Sequence, residues 1–118
     1  MRHFESVLQR QCVKWFYLQF PKLTLFAIPN GGKRNVIEAG IMKAEGVLAG
    51  VADLLFMKAN VQYNGLFIEI KTPKGKQTEK QKEFELRAKA EGYDYKVCRS
   101  LDEFMTTINE YIKNDLPF

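Results

Sequence analysis

Two residues in the segment LFIEIKTPKG, residues 66–75, have side chains that could do chemistry: Glu69 and Lys71. A strand has a period of two, so these residues share one face while Ile68 and Ile70 occupy the other. The apolar neighbours predict a strand inside a sheet, where burying two charges is costly unless each charge finds a partner. Either the two side chains pair with each other, or they face a metal ion and a phosphate.

A second carboxylate is predicted to lie beside Glu69. Asp53 stands in the apolar segment GVADLLF, which we predict to be the strand that pairs with the one holding Glu69. Fifteen residues, 54–68, separate the two carboxylates, enough for a hairpin that brings them side by side. Buried carboxylates repel each other unless a cation is present. Mg²⁺ suits such a pair because it takes one or two carboxylates, keeps several waters and binds phosphate oxygens. The backbone carbonyl of Ile70 could add a ligand.

The surrounding sequence predicts an α/β domain that positions these residues. Apolar residues recur at helical spacing near the N-terminus, and β-branched and aromatic runs predict strands. Asn35, Thr78 and Ser100 each have a Glu or Gln three positions later, the pattern of a capping box. The predicted elements are a helix from about Phe4 to Phe20, strands within 23–29, 51–58, 66–72 and 93–99, and helices after the three caps. The order α-β-α-β-β-α-β-α predicts a mixed sheet of about four strands flanked by helices, in one domain, 1–118.

Composition and charge favour a globular protein with a polyanionic partner. Hydrophobic residues make up 46% of the chain, and no apolar run approaches the ~20 residues of a membrane span, so we expect no membrane partner. Cys12 and Cys98 are predicted to be buried thiols in a reducing cytoplasm. The net charge is +4, which favours nucleic acid as the partner. The clustered basic residues are Lys33, Arg34, Lys71, Lys74, Lys76, Lys80 and Lys82.

An Asp followed by a hairpin and then Glu-x-Lys resembles the PD-(D/E)xK nuclease signature, with Ala52 where that signature often has proline. The segments IPNGGKR, GVLAGVADLLF, FIEIKTPKGKQTEKQ and GYDYKVCRS, in this order, resemble the VRR-NUC family of structure-specific nucleases. The resemblance implies a restriction-endonuclease-like core and a Mg²⁺- or Mn²⁺-dependent endodeoxyribonuclease that hydrolyses phosphodiester bonds. It implies a branched substrate such as a four-way (Holliday) junction. It also implies the minimal stand-alone type, a homodimer that phages commonly encode and that would work in the host cytoplasm.

The resemblance also implies roles for particular residues. The implied catalytic set is Asp53, Glu69, Lys71, Gln81 and Glu5. Asp53 and Glu69 would hold the metal, and Glu5 would act through water or a second metal. Glu5 equally fits a first-turn glutamate that favours the helix dipole, and Gln81 also fits the third position of a capping box.

A loop and two lysines are predicted to contact DNA. Residues 30–32 could form a tight turn whose N–H groups meet a phosphate, although a plain turn is the alternative. The predicted DNA-binding residues are Asn30, Gly31, Gly32, Lys33, Arg34, Lys74 and Lys76. The tyrosines are assigned to the core or to interfaces. Two other functions stay open: a non-catalytic nucleic-acid-binding module with the same fold, and a structural domain in which Glu69 pairs with Lys71.

Aromatic residues near the end of the first helix bear on assembly. The cluster consists of Trp15, Phe16, Tyr17 and Phe20. At helical spacing it puts apolar side chains on more than one side of the helix, so one side is predicted to remain in water unless a second subunit covers it. This cluster and the last helix with its LPF tail are the candidate interface of the homodimer.

Overall fold

The structure is a computed structural model that describes residues 2–30 and 35–117. The described residues form four helices and four strands in the predicted order. The elements are α1 (Arg2–Gln19), β1 (Leu25–Ala27), α2 (Val36–Ala44), β2 (Leu54–Phe56), β3 (Leu66–Ile70), α3 (Glu79–Ala90), β4 (Asp94–Cys98) and α4 (Leu101–Lys113). The predicted α/β order is therefore confirmed, although each strand is shorter than the apolar run that predicted it.

The four strands form one mixed sheet in the order β1-β2-β3-β4. β2 pairs antiparallel with both β1 and β3, and Leu54 lies opposite Ile68. β4 follows α3 and pairs parallel with β3, so that Phe67 lies opposite Tyr95. This crossover places α3 over one face of the sheet and brings β4 beside the strand that holds Glu69.

The two faces of β3 have different environments. Ile68 and Ile70 are fully or almost fully buried in the hydrophobic core with residues of α1 and α4, such as Phe16 and Phe104. Burying a side chain of this size contributes roughly 1.5–3 kcal/mol, so the packing on this face stabilises the fold. The other face lies under α3, where the Phe67 ring packs edge-on against another aromatic ring at 4.9 Å. Side chains at odd positions of β3 therefore point towards α3.

The predicted helix starts are confirmed. The side chains of Asn35, Thr78 and Ser100 each accept a hydrogen bond from the backbone N–H three residues later. Such caps are worth roughly 0.5–2 kcal/mol each. At the other end of α3, Gly92 has a φ of +85°, a conformation that glycine adopts without the steric penalty of a Cβ.

The aromatic cluster of α1 is less exposed than predicted. Phe16 is fully buried, and Trp15 and Phe20 are partly buried against the same core. The Tyr17 ring is 39% exposed, but its hydroxyl donates a 2.6 Å hydrogen bond to the carbonyl of Leu25. The cluster therefore mostly joins α1 to the sheet, and it gives little support to a second subunit.

Two further expectations concern the cysteines and the membrane. Cys12 and Cys98 are free and buried, as predicted. Over the described ranges, each helix is either too short or too polar to cross a bilayer.

Candidate active site

Asp53 lies immediately before β2, one residue outside the strand that was predicted to contain it. Its backbone carbonyl accepts the N–H of Ile28 at 2.9 Å, and its carboxylate Oδ2 accepts the N–H of Ile70 at 2.7 Å. A continued antiparallel ladder would satisfy the Ile70 N–H with a backbone carbonyl. The Asp53 side chain takes that place, which explains why the ladder stops here and how the carboxylate is anchored at the end of β3.

Glu69 is almost completely buried, at 3% exposure, and both of its carboxyl oxygens have donors. The Tyr95 hydroxyl lies 3.2 Å from Oε1, and the Gln81 side-chain amide lies 3.0 Å from Oε2. Gln81 also accepts the backbone N–H of Thr78 at 2.9 Å through its own oxygen. The two interpretations of Gln81 are therefore compatible, because its oxygen caps α3 while its nitrogen holds Glu69.

The carboxyl groups of Glu69 and Asp53 lie close enough to share a hydrogen bond. Burial first, and then the charge of Asp53 and this hydrogen bond, raise the pKa of Glu69 to about 9. The opposing effects of Lys71 and Tyr95 are smaller. At neutral pH the pair consequently holds a proton, which a cation could replace.

Lys71 does not neutralise Glu69 directly. The Lys71 residue is only 9% exposed, yet within the described residues its ammonium forms no ion pair with Glu69 or Asp53. Its backbone N–H donates to the carbonyl of Cys98 at 3.1 Å, which holds this residue at the end of the sheet. The interpretation of Glu69 and Lys71 as a simple ion pair is therefore wrong, and the ammonium is available to an anionic ligand.

Of the residues predicted to bind DNA, one contacts Asp53 and two are exposed near the site. The Asn30 side chain donates to Asp53 Oδ1 at 3.4 Å. Lys74 and Lys76 are exposed in the connection between β3 and α3, as a DNA contact requires. Gly31, Gly32, Lys33 and Arg34 lie outside the described residues.

Glu5 is not part of the hydrogen-bonded group. It is half-buried on α1, which packs against the opposite face of the sheet from Glu69. In the described part of the chain no hydrogen bond or ion pair joins Glu5 to Asp53 or Glu69. Its catalytic role stays a prediction.

The donor set suits a magnesium-like ion better than a zinc-like one. Among residues 2–30 and 35–117, no group of three or more His, Cys, Asp or Glu side chains is arranged to hold a metal. Mg²⁺ usually binds proteins through one or two carboxylates and keeps several waters. Asp53 and Glu69, both oxygen donors in hydrogen-bonding contact, fit that requirement.

The sequence patterns did not identify Tyr95, which is a direct hydrogen-bond partner of Glu69. Tyr95 is buried, and its hydroxyl also receives a hydrogen bond from the Gln77 amide at 3.3 Å. Gln77 donates in turn to Glu85 at 2.9 Å, and Glu85 pairs with Lys89 at 2.6 Å. A continuous set of contacts therefore connects a surface ion pair with the buried carboxylate. The two-residue alternation of β4 predicts which of its side chains share a face with Tyr95. That face can be matched with the face of Glu69 only when the parallel pairing of β4 with β3 is known.

Fold and site together define the class of protein, a nuclease module with paired carboxylates and a lysine at the end of one sheet. The chain belongs to the VRR-NUC domain family, whose profile matches residues 2–102. A solved structure described as a VRR_NUC domain protein is 30% identical to this chain, with a TM-score of 0.81 over 94% of this chain and 89% of that one. No match was found among curated proteins. The resemblance drawn from the sequence motifs is confirmed.

Proposed function

We propose that this chain is a Mg²⁺- or Mn²⁺-dependent DNA endonuclease that hydrolyses phosphodiester bonds in branched DNA such as four-way junctions. The observation that carries the proposal is the half-buried Asp53 next to the buried Glu69, beside Lys71, whose ammonium pairs with neither carboxylate within the described residues. A domain that only bound DNA would have no use for two adjacent carboxylates facing a polyanion.

Asp53 and Glu69 would hold the ion, and the carbonyl of Ile70 would add a ligand. When bound, such an ion polarises the scissile phosphate and acidifies a water molecule. The protein groups keep the carboxylates in place: the Ile70 N–H and Asn30 hold Asp53, while Gln81 holds Glu69.

Lys71 would act on the substrate and the attacking water. Its ammonium lies near enough to Glu69 to lower that group's pKa without forming an ion pair. It would orient the attacking water and stabilise the negative charge that develops on the phosphate oxygens. Glu5 would contribute through water or a second metal. The exposed Lys74 and Lys76 would contact the DNA backbone.

Labelled duplex, flap, splayed and four-way DNA incubated with Mg²⁺, Mn²⁺ or EDTA would test this function. We expect metal-dependent cleavage of the branched substrates. Asp53→Ala and Glu69→Ala should abolish cleavage while DNA binding persists, and Lys71→Ala should lose turnover while calorimetry still detects Mn²⁺ binding. Binding of all four substrates without cleavage under any metal condition would instead establish a non-catalytic binding module.

The proposed enzyme is a homodimer, because one set of catalytic residues cuts one strand at a time and a junction requires two symmetric cuts. Two-fold symmetry is the commonest way to supply two identical sites. Light scattering should therefore report roughly twice the chain mass of 13.7 kDa at micromolar concentration. A monomer that cuts both strands of a four-way junction in one binding event would contradict this assembly.

A further inference from the structure

A cleft of about 630 Å³ lies between α2 and α3, beside the candidate active site. Cavities that hold one small ligand measure roughly 300–1,000 Å³, so the cleft has room for a nucleotide but not for a duplex. Its described lining includes residues of both helices and of the segment 46–49 that joins α2 to the sheet.

The charges around this cleft are predominantly positive. Lys43, Lys80 and Arg87 line it, against a single carboxylate, Glu83, among the described lining residues. None of the three cations forms an ion pair in the part of the chain that the structure describes. Lysines on other sides of α3 do pair with glutamates of the same helix, Lys82 at 3.6 Å and Lys89 at 2.6 Å. Of the four cations on α3, the two without an ion pair among the described residues, Lys80 and Arg87, therefore line the cleft.

Most of the other described lining residues are apolar, and one of them carries an aromatic ring. Met42, Leu48 and Phe84 contribute to it, and Leu48 is 48% exposed. The Phe84 ring is half-buried and held in place by the Phe67 ring at 4.9 Å. A basic groove with an apolar, aromatic floor is the combination that binds unpaired nucleotides, since the cations meet phosphates and the floor meets the base.

The cleft is directly connected to the candidate active site. Asn30 lines the cleft and donates its side-chain hydrogen bond to Asp53. Lys80 precedes Gln81, which donates to Glu69. A nucleotide in the cleft would therefore lie next to a phosphate held at the two carboxylates.

We propose that this cleft binds one unpaired nucleotide of the DNA substrate beside the cleaved bond, with its base on the apolar floor and its phosphates on Lys43, Lys80 and Arg87. This inference rests on the proposed nuclease function. It gives that enzyme a structural basis for preferring flaps and splayed arms, which carry unpaired nucleotides, over a continuous duplex, which keeps its bases stacked inside and presents none to the cleft.

The test measures binding without cleavage, in the full chain carrying Glu69→Gln and in EDTA. Fluorescence anisotropy compares a blunt duplex with the same duplex carrying one unpaired 2-aminopurine nucleotide. We expect the unpaired nucleotide to raise affinity about tenfold, within the range that stacking of one base supplies. Three cleft substitutions should each reduce the ratio of the two affinities to about one: Lys43→Glu, Lys80→Glu and Leu48→Asp. In these variants the 2-aminopurine emission should no longer change on binding.

Matched controls separate this result from general effects of charge and surface polarity. Lys14→Glu reverses an exposed charge on α1, across the sheet, and Leu86→Asp changes a leucine of α3 that is 71% exposed and outside the cleft lining. Both controls should keep the tenfold preference, and circular dichroism should show that every variant folds. The proposal would be overturned if the protein without cleft substitutions bound both duplexes equally well. It would also be overturned if the control variants lost the preference for the unpaired nucleotide as fully as the cleft variants.

Cleavage is measured separately in protein that retains Glu69. A chain that shows the preference but never cuts DNA contradicts the proposed nuclease function alone. A chain that cuts branched DNA but shows no preference contradicts the cleft proposal alone.

Discussion

The Tyr95 hydroxyl donates a 3.2 Å hydrogen bond to Glu69 Oε1, across two parallel neighbouring strands. Because the Gln81 amide holds the other oxygen, the carboxyl group is restrained at both ends before any ligand arrives. Restraint of this kind lowers the reorganisation that a ligand would otherwise have to drive. In the proposed enzyme, Tyr95 would therefore act through Glu69 as a positioning residue.

Tyr95→Phe should remove this restraint while keeping the ring that packs near Phe84. We expect Mn²⁺ affinity, measured by calorimetry, to fall about 10- to 100-fold, the usual effect of losing a partner of a metal ligand. Unfolding free energy should fall by only about 1 kcal/mol, the typical worth of one hydrogen bond. Tyr93→Phe is the matched control, because the Tyr93 hydroxyl forms no hydrogen bond to the described residues. Equal Mn²⁺ affinity in the two variants would exclude a positioning role.

Asp53→Ala and Asp53→Asn should differ in stability although both lose cleavage. Alanine leaves the Ile70 N–H without the acceptor that now lies at 2.7 Å, which costs roughly 1–3 kcal/mol. Asparagine keeps an oxygen there that can accept the same hydrogen bond. Urea denaturation should therefore give a higher unfolding free energy for Asp53→Asn. If the two variants unfold at the same urea concentration, the hydrogen bond from the Ile70 N–H to Asp53 does not stabilise the end of β3.

Glu69 should make the metal-free protein less stable as pH rises. Its pKa of about 9 in the folded chain exceeds its ordinary value of 4.5, so the folded state keeps a proton that the unfolded chain releases. The corresponding stability is fully present below about pH 4.5 and is lost progressively as pH rises towards 9. For one proton, the unfolding free energy cannot fall by more than about 1.4 kcal/mol per pH unit.

Glu69→Gln should remove that contribution to the slope. Urea denaturation in EDTA at several values between pH 5 and 9 measures it, with Glu83→Gln, at an exposed position of α3, as the control. Parallel stability curves for Glu69→Gln and the unsubstituted chain would mean that Glu69 titrates normally.

Two glycines with positive φ should respond differently to alanine. Gly50 has a φ of +86°, and an added Cβ would lie 2.5 Å from the backbone of Lys80, whereas Gly46, at +101°, faces open space. Gly46→Ala should cost about 1–2 kcal/mol through backbone strain alone. Gly50→Ala should cost more, because the chain before β2 must also move away from α3. Thermal melts of both variants would show this, and equal losses would mean that the contact at Lys80 is easily relaxed.

The sequence predicted the fold well because its signals were local. Period-two alternation in β3 and the capping residues Thr78 and Ser100 each act within a few positions, and each was correct. The hairpin separation also placed Asp53 beside Glu69. Tyr95 and the start of β2 after Asp53 were missed because both depend on contacts between segments distant in sequence. Tyr95 depends on the parallel pairing of β4 with β3, and the start of β2 depends on the Asp53 side chain replacing a ladder carbonyl.

The aromatic cluster of α1 shows a second limit of sequence patterns. Trp15, Tyr17 and Phe20 are distributed around the helix, which suggested an exposed side. The turn after α1 and strand β1 cover part of that side, and the Tyr17 hydroxyl donates a hydrogen bond to the carbonyl of Leu25. Helical periodicity identifies the side chains on each face of a helix. It does not show which of those faces other parts of the chain will cover.

In the five residues of β3, alternate side chains have different roles: one set packs in the core and the other faces the candidate active site. Ile68 and Ile70 enter the core, while Glu69 faces the reactive side, so a shift of register by one residue would place the carboxylate in the core and isoleucines in the site. A chain misregistered in this way would thus lose the proposed activity together with its stability. For the same reason, substitution libraries confined to Leu66, Ile68 and Ile70 would sample stability, and libraries confined to the α3 side would sample specificity, with little interference between the two.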